Sequence, residues 1–175
     1  YSKGMFENVC LAIKVALDLN INKKIIQKTL PLLSFEGRYQ YLTKGKIKSK
    51  LHKNEIIMID GAHATADAQN LASYLKNIKI PKYGIWAMTK NKEPDLFIKQ
   101  LRGVFKKIVT MPIENESNSV SANELYRAAT QNKLKSNVEK SENFTDALKK
   151  ISSKEKKLIV CFGSLYNCGN ILNKN

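Results

Sequence analysis

Two short polar segments contain the residue types best suited to chemistry. Asp60 and His63 lie in Asp60-Gly61-Ala62-His63, directly after a compact apolar run, and Ser164 lies in Gly163-Ser164-Leu165-Tyr166, after another apolar run. An aspartate can balance a cation, and a histidine can exchange a proton near neutral pH. A helix that starts at such a segment also favours a carboxylate or phosphate at its N-terminus. Each residue taken singly fits a helix cap or a turn equally well.

The elements around these segments alternate between strands and helices. Because the apolar strands are short and continuous, they predict a parallel sheet that is covered on both faces. Ligands of such sheets bind at the carboxyl ends of the strands. We therefore predict an α/β fold, a Rossmann-like mostly parallel sheet whose carboxyl edge holds both polar segments. The predicted strands are 55–60, 83–88, 107–111, 136–138 and 157–162, and the helices are 64–75, 95–105, 121–129, 143–151 and one from 164 onward.

The first 34 residues follow a different pattern, which predicts helices belonging to a larger domain. The first helix is indicated by apolar residues at three- and four-residue steps, namely Met5, Phe6, Val9, Ile13, Ala16 and Leu17. A second, shorter helix, 23–30, is expected to stop at Pro31, and a linker then continues to Gly37.

Composition limits the possible classes of protein. The chain has 175 residues, of which 43% are apolar and 26% charged, as in ordinary globular domains. No apolar run is long enough to cross a membrane, and the opening residues do not form a signal peptide. The three cysteines, Cys10, Cys161 and Cys168, lie in segments predicted to be buried and have no histidine at zinc spacing. We therefore expect a cytoplasmic protein without a disulfide framework or a metal site.

The net charge of +15 raises the possibility of nucleic-acid binding. Only Arg38, Arg102 and Arg127 are arginines, whereas proteins that recognise bases and phosphates rely on arginine and on aromatic side chains. A solvated lysine surface is the better interpretation, with no nucleic-acid partner and no membrane partner. Salt-dependent binding would be the sign of the alternative.

No phosphate-binding loop is present in the sequence. The segment 45–49 contains a glycine and a lysine, but not at the spacing of such a loop, and we interpret it as a lysine-rich hairpin beside a solvated His52. Any nucleotide chemistry must therefore obtain its phosphate cradle from another domain.

Three motifs in order give the chain a family resemblance. Gly37-Arg38 after the proline-bearing linker, Asp60-Gly61-Ala62-His63 and Gly163-Ser164-Leu165-Tyr166 resemble the G-R-x-Q, D-G-A-H-N-P and G-S-L-Y motifs of the folylpolyglutamate/dihydrofolate synthases of the Mur ligase superfamily. Glu7-Asn8 is similar to the helix that ends their central domain. Together the motifs extend over nearly the whole chain.

The resemblance implies a modular ligase of which this chain is one part. Residues 1–34 would be the C-terminal helices of a central ATPase domain plus a linker, and residues 35–175 the C-terminal domain. The phosphate loop and the Mg²⁺ ligands would lie in the N-terminal ATPase domain. ATP would phosphorylate a folate or dihydropteroate carboxylate, and the amine of L-glutamate would attack the acyl phosphate. The chain alone is then expected to be inactive.

The resemblance also implies roles for five residues. Those that match ATP contacts are Asn8, Arg38 and Asp60, and those that match glutamate contacts are His63 and Ser164; no catalytic residue or metal ligand is expected in the chain. Two departures stand out. Ala64-Thr65 replaces the expected Asn-Pro, and Thr89-Lys90-Asn91-Lys92-Glu93 replaces an acidic Asp-Lys-Asp stretch. A non-catalytic Rossmann-like binding module, or a decayed paralogue, is the alternative function.

Overall fold

The chain folds as two units. The computed structural model describes residues 3–134 and 136–175, without the side chain of Lys3. The first unit extends to Glu36, and the second comprises Gly37–Asn175. This division lies two residues beyond the predicted domain boundary. That the first segment belongs to an ATPase domain stays a prediction.

The first unit consists of two helices, as predicted. Helix α1 comprises Lys3–Asp18 and helix α2 Lys23–Thr29, and the side chain of Asn22 caps α2 by accepting a hydrogen bond from the Lys24 N–H at 2.9 Å. Pro31 does not end the helical path, because it lies within a 3-10 turn, Leu30–Leu32. None of the described side chains of this unit is fully buried, so the prediction of a buried Cys10 is wrong: its side chain is exposed.

The second unit contains a six-stranded sheet with the order β1-β2-β6-β3-β4-β5. All neighbouring strands are parallel except β1, which pairs antiparallel with β2. The predicted mostly parallel sheet is confirmed, with a short edge strand that the sequence did not indicate. The strands are β1 Gln40–Tyr41, β2 Glu55–Asp60, β3 Lys82–Trp86, β4 Lys107–Thr110, β5 Asn137–Lys140 and β6 Lys157–Phe162.

Helices cover both faces of this sheet, as the continuous apolar strands predicted. One buried cluster joins the strands to α4, α5 and α6, and a second cluster joins them to α3, α7 and α8. The most buried large side chains include Trp86, Phe97 and Phe162, whose rings stack. The helices are α3 Lys46–Ser49, α4 Thr65–Lys76, α5 Pro94–Lys99, α6 Ala122–Gln131, α7 Phe144–Ile151 and α8 Leu165–Lys174.

Two further local predictions are wrong. The segment 45–49 is not a hairpin but contains the short helix α3, since the Lys46 N–H donates to the Asn175 carbonyl at 2.7 Å and Ile47 is buried. Helix α5 ends at Lys99 rather than near residue 105. After Lys99 the backbone forms tighter turns in which an N–H donates to the carbonyl three residues earlier, as Leu101 does to Ile98. Gly103 then takes a φ of 74°.

An ion pair is buried at the amino ends of β2 and β6. Glu55 and Lys157 are register partners, are 0% and 1% exposed, and approach to 3.5 Å. The carboxylate of Glu55 also accepts hydrogen bonds from the N–H groups of His52 and Ser153 and from the Ser152 hydroxyl. This network lies at the opposite end of the strands from the polar motifs, which indicates a structural role.

The network predicts a pH dependence of stability. Burial opposes ionisation of Glu55, but the N–H groups of Ser153 and His52, the Ser152 hydroxyl and the Lys157 ammonium together lower its pKa. A carboxyl whose pKa is lower in the folded state stabilises the fold above its unfolded pKa of about 4.3, and this contribution is lost as the pH falls through the lowered value. We expect urea unfolding to show a smaller difference between wild type and Glu55→Gln at about pH 3 than at about pH 7. A difference that stays constant would contradict this.

Candidate functional site

The two polar motifs meet at the carboxyl edge of the sheet. Asp60 ends β2, and its register partner Phe162 ends the neighbouring parallel strand β6. Gly163 and Ser164 follow at once, and Ser164 caps α8. The structure therefore brings the predicted segments together, as the strand order required.

Asp60 fixes the segment that carries Arg38. Its side chain is 2% exposed, and its two oxygens accept hydrogen bonds from the N–H groups of Tyr39 and Ala62, each at 2.8 Å. Burial raises the pKa of Asp60, while these two hydrogen bonds and the charge of Arg38 act in the opposite direction. The carboxylate thus ties the chain before β1 to the turn after β2.

Arg38 has a buried guanidinium nitrogen without a partner. No described residue accepts a hydrogen bond from its Nη1, although the atom is shielded from solvent. Gly61 leaves room for it, because a Cβ at that position would lie 2.9 Å from Nη1 and 2.3 Å from the Leu165 side chain. An unpaired buried donor is costly, and a guanidinium fork suits phosphate. The unpaired Nη1 of Arg38 is therefore a candidate donor for an anionic ligand.

His63 has a defined tautomer when it is neutral. Its Nδ1 lies 2.8 Å from the Gly61 carbonyl oxygen, and since a carbonyl only accepts, Nδ1 carries the hydrogen. The other ring nitrogen, Nε2, then keeps its lone pair. The N–H groups of His63 and Ala64 both donate to the Asp67 carboxylate at 3.2 Å. Asp67 therefore caps α4, which the Ala64 side chain cannot do.

His63 and Ser164 line the same pocket, which has a volume of about 280 Å³. Ser164 is 3% exposed, and its oxygen accepts from the Tyr166 N–H at 3.2 Å. Sequence reasoning carried no role over to the stretch 89–93 after β3 and missed the loop after β4, although the rule that ligands bind at carboxyl ends of strands applies to both loops. The other lining residues are Thr89, Asn91, Lys92, Glu116, Asn118, Leu165 and Tyr166.

The remaining predicted site residue lies in the first unit. Asn8 is an exposed residue of α1. Within residues 3–134 and 136–175, no group of three or more His, Cys, Asp or Glu side chains could hold a metal ion. The same residues contain no helix with the length and apolar character to span a membrane.

The fold is that of solved folylpolyglutamate synthases and of FolC, which are less than 25% identical to this chain in sequence. The chain superposes on the Mycobacterium tuberculosis folylpolyglutamate synthase complexed with ADP and AMPPCP with a TM-score of 0.82, at 19% identity, over 99% of this chain and 40% of that one. The Thermotoga maritima folylpolyglutamate synthase gives 0.72 at 23% identity over 99% and 38%. The E. coli FolC in complex with DHPP and ADP gives 0.70 at 15% identity over 87% and 34%.

The chain covers only part of each of these solved structures, namely 34% to 40% of their length. No curated protein matches it by sequence. A family model described as "Dihydrofolate synthetase, C-terminal domain" matches residues 43–174, which includes most of the second unit. The chain therefore belongs to the dihydrofolate synthetase C-terminal domain family.

Proposed function

We propose that this chain is the C-terminal part of an ATP-dependent ligase that adds L-glutamate to the carboxylate of a folate or of dihydropteroate. One observation carries the proposal. An unpaired buried guanidinium nitrogen, Arg38 Nη1, and a polar pocket lined by His63 and Ser164 belong to the same carboxyl edge of the sheet. This edge offers one group for a phosphate and a separate pocket for an amino acid.

In the proposed reaction, Arg38 faces ATP and Asp60 holds the segment that carries Arg38, while Asn8 of the first unit stays a predicted ATP contact. A folate carboxylate takes the γ-phosphoryl group, and the phosphate later leaves with the electrons of the acyl C–O bond. Arg38 would neutralise charge on the phosphate as it develops. The phosphate cradle and the Mg²⁺ ligands belong to an N-terminal ATPase domain outside this chain, so the chain is inactive by itself.

The pocket has the second task of presenting glutamate. The amine nitrogen of glutamate attacks the acyl carbon of the acyl phosphate, forms the amide and loses a proton. Positioning of the amine supplies much of the rate enhancement in such a step, because a bimolecular encounter becomes effectively intramolecular. His63 and Ser164 would hold the amino acid, and exclusion of water would protect the acyl phosphate from hydrolysis.

The test is co-expression with the N-terminal ATPase domain that the proposal requires. We expect ADP release that depends on both folate and glutamate, and about a hundredfold lower kcat for Arg38→Ala, as for loss of one group that stabilises developing charge. Arg102→Ala is the matched control, since it removes the same charge from an exposed site.

Two results would contradict the proposal. Turnover of ATP or ligation of glutamate by the 175-residue chain alone would show that it needs no second domain. No ADP release from the complex, with Asp60→Ala and His63→Ala leaving ligand binding unchanged, would instead support the non-catalytic binding module.

A further inference from the structure

The turn between β2 and α4 is held by a side chain that lies inside the helix. In many helices the side chain of the N-cap residue accepts a hydrogen bond from an N–H of the first turn. The N-cap residue of α4 is Ala64, whose methyl group cannot accept one. The third residue of the helix, Asp67, contacts the turn instead. The start of α4 therefore depends on a residue that belongs to none of the three motifs.

One oxygen of Asp67 joins the helix to His63. Its Oδ2 atom accepts hydrogen bonds from the N–H groups of His63 and Ala64, both at 3.2 Å. An ordinary N-cap side chain does not bind the first of these groups, since it accepts from the second or third residue of the helix. Asp67 therefore does more than cap α4, because it also holds the backbone of the residue that precedes the cap.

The ring of His63 is held by a different group. Its Nδ1 donates to the Gly61 carbonyl at 2.8 Å, whereas the Asp67 Oδ2 atom lies 3.8 Å from Nδ1, too far for a hydrogen bond. The Gly61 N–H in turn donates to the Gly37 carbonyl at 2.6 Å. The bond between the ring and Gly61 spans only two residues. It consequently requires that the His63 backbone keeps the conformation in which Asp67 holds it.

The Asp67 carboxylate also occupies the helix start that an anionic ligand would otherwise use. The first turn of a helix favours negative charge, which is why an anion was expected at both strand-to-helix turns. At α4 the chain itself supplies this charge. Burial and, less strongly, the negative charge of Asp67 both raise the pKa of Asp60, so a second carboxylate is close by. The N–H groups at the start of α4 are therefore used to hold His63 rather than to bind an anion.

We infer that Asp67 is a positioning residue for His63. It holds the His63 backbone so that the Gly61 carbonyl receives the hydrogen of Nδ1 and Nε2 keeps its lone pair at the pocket. Asp67 does not line the pocket itself and acts through His63. The use of the ring in ligation rests on the proposed function, whereas the geometry of the ring does not.

The inference is tested on the full chain by NMR of the histidine ring nitrogens. At about pH 8.5, where an ordinary imidazole is neutral, we expect wild-type His63 to carry its hydrogen on Nδ1. Asp67→Ala should lose this preference and give a mixture of the two tautomers. Asp67→Asn keeps an acceptor oxygen and should retain the Nδ1–H form. The exposed His52 provides a reference signal that should change in neither variant.

A double variant separates positioning from capping. Ala64→Asn supplies an N-cap side chain that accepts from the first turn of α4 but not from the His63 N–H. Ala64→Asn combined with Asp67→Ala should therefore regain the resistance to urea that Asp67→Ala loses, while the His63 ring stays a mixture. Recovery of the Nδ1–H form together with stability would overturn the inference and leave Asp67 as a helix cap. An Asp67→Ala protein whose ring keeps the Nδ1–H form would overturn it as well.

Glu124→Ala in α6 is the matched control. Glu124 is also the third residue of its helix, and its carboxylate accepts from the N–H of the N-cap residue Ser121 at 3.0 Å. The change removes the same kind of bond and the same charge from a helix start that no histidine precedes. Both histidine rings should therefore give wild-type signals in this variant.

The kinetics of the complex with the ATPase domain test the role of the positioned ring. Asp67→Ala should raise the KM for glutamate about tenfold, as for the loss of one hydrogen bond to a charged group, and leave the KM for ATP unchanged. An altered ring with an unchanged KM for glutamate would support the positioning and contradict the glutamate contact of His63.

The two proposals can fail separately. If the complex releases no ADP while the tautomer of His63 depends on Asp67, the proposed ligase function is wrong and the positioning role stands. If the complex ligates glutamate, and both the ring signals and the KM for glutamate are the same in Asp67→Ala and wild type, the ligase function stands and the positioning role is wrong.

Discussion

Lys157→Met is expected to lower the free energy of unfolding by about 3–5 kcal/mol, as for the loss of one partner of a buried ion pair. Lys157 is 1% exposed; its ammonium donates to the Ile151 carbonyl at 2.7 Å and lies 4.6 Å from the centre of the Tyr83 ring. Methionine preserves most of the volume, so the loss arises from the charge and its hydrogen bonds rather than from a cavity. Glu55 would stay buried without its cation, and the Ile151 carbonyl without its donor.

Urea unfolding followed by the fluorescence of Trp86 measures this effect directly. Trp86 is the single tryptophan and is fully buried in the second unit, so its emission reports on that unit. Lys156→Met is the matched control, because it removes the same charge from the preceding exposed residue and should change stability by less than about 0.5 kcal/mol. Equal midpoints for the two variants would contradict the structural role of the ion pair.

The central strands of the sheet were predictable because they are continuously apolar. Strands 55–60 and 157–162 were predicted with the bounds that the structure has, and their parallel pairing placed Asp60 and Ser164 at one edge. The logic requires only local sequence and the rule for ligand positions in parallel sheets. For these reasons Asp60, His63 and Ser164 could be placed at this edge from the sequence, whereas Arg38 was indicated only by the family resemblance.

Features that depend on distant partners could not be predicted. Helix α3 starts where the Lys46 N–H meets the Asn175 carbonyl, a contact between residues 129 positions apart in the sequence. Likewise, Lys157 has the sequence context of a surface lysine, and only the register with Glu55 buries it. The segments after β3 and β4 that line the pocket are likewise separate in sequence, and a bridge between Thr89 and Ser119 joins them.

The two ends of the sheet differ in how well their polar groups are satisfied. At the amino end, Glu55 and Lys157 have multiple partners each. Near the carboxyl end, buried nitrogens of Arg38, Trp86 and Asn167 have none among the described residues. Unsatisfied buried donors are rare in folded proteins and call for an explanation. Their position at the edge with the motifs is consistent with a ligand site there, while the opposite end contributes stability.

Gly163→Ala is the second change with a large expected effect, because the turn between β6 and α8 excludes any side chain. Gly163 has a φ of 107°, which residues with a Cβ rarely adopt. A Cβ there would also lie 2.3 Å from the Ala87 carbonyl oxygen and 2.7 Å from the Trp86 ring, and the first of these is backbone that cannot rotate away. Strain and overpacking together predict a loss of about 3 kcal/mol or more in the free energy of unfolding.

Gly169→Ala in the same region provides the matched control. Gly169 lies within α8, and a Cβ there would meet no atom within 4 Å. Alanine favours a helix over glycine by about 0.5–1 kcal/mol, so this variant should be slightly more stable than wild type. Urea unfolding followed by far-UV circular dichroism separates the two, and it avoids the Trp86 signal that Gly163→Ala would itself disturb. An equally stable Gly163→Ala protein would mean that the turn can relax, and Ser164 would then not be held rigidly at the pocket.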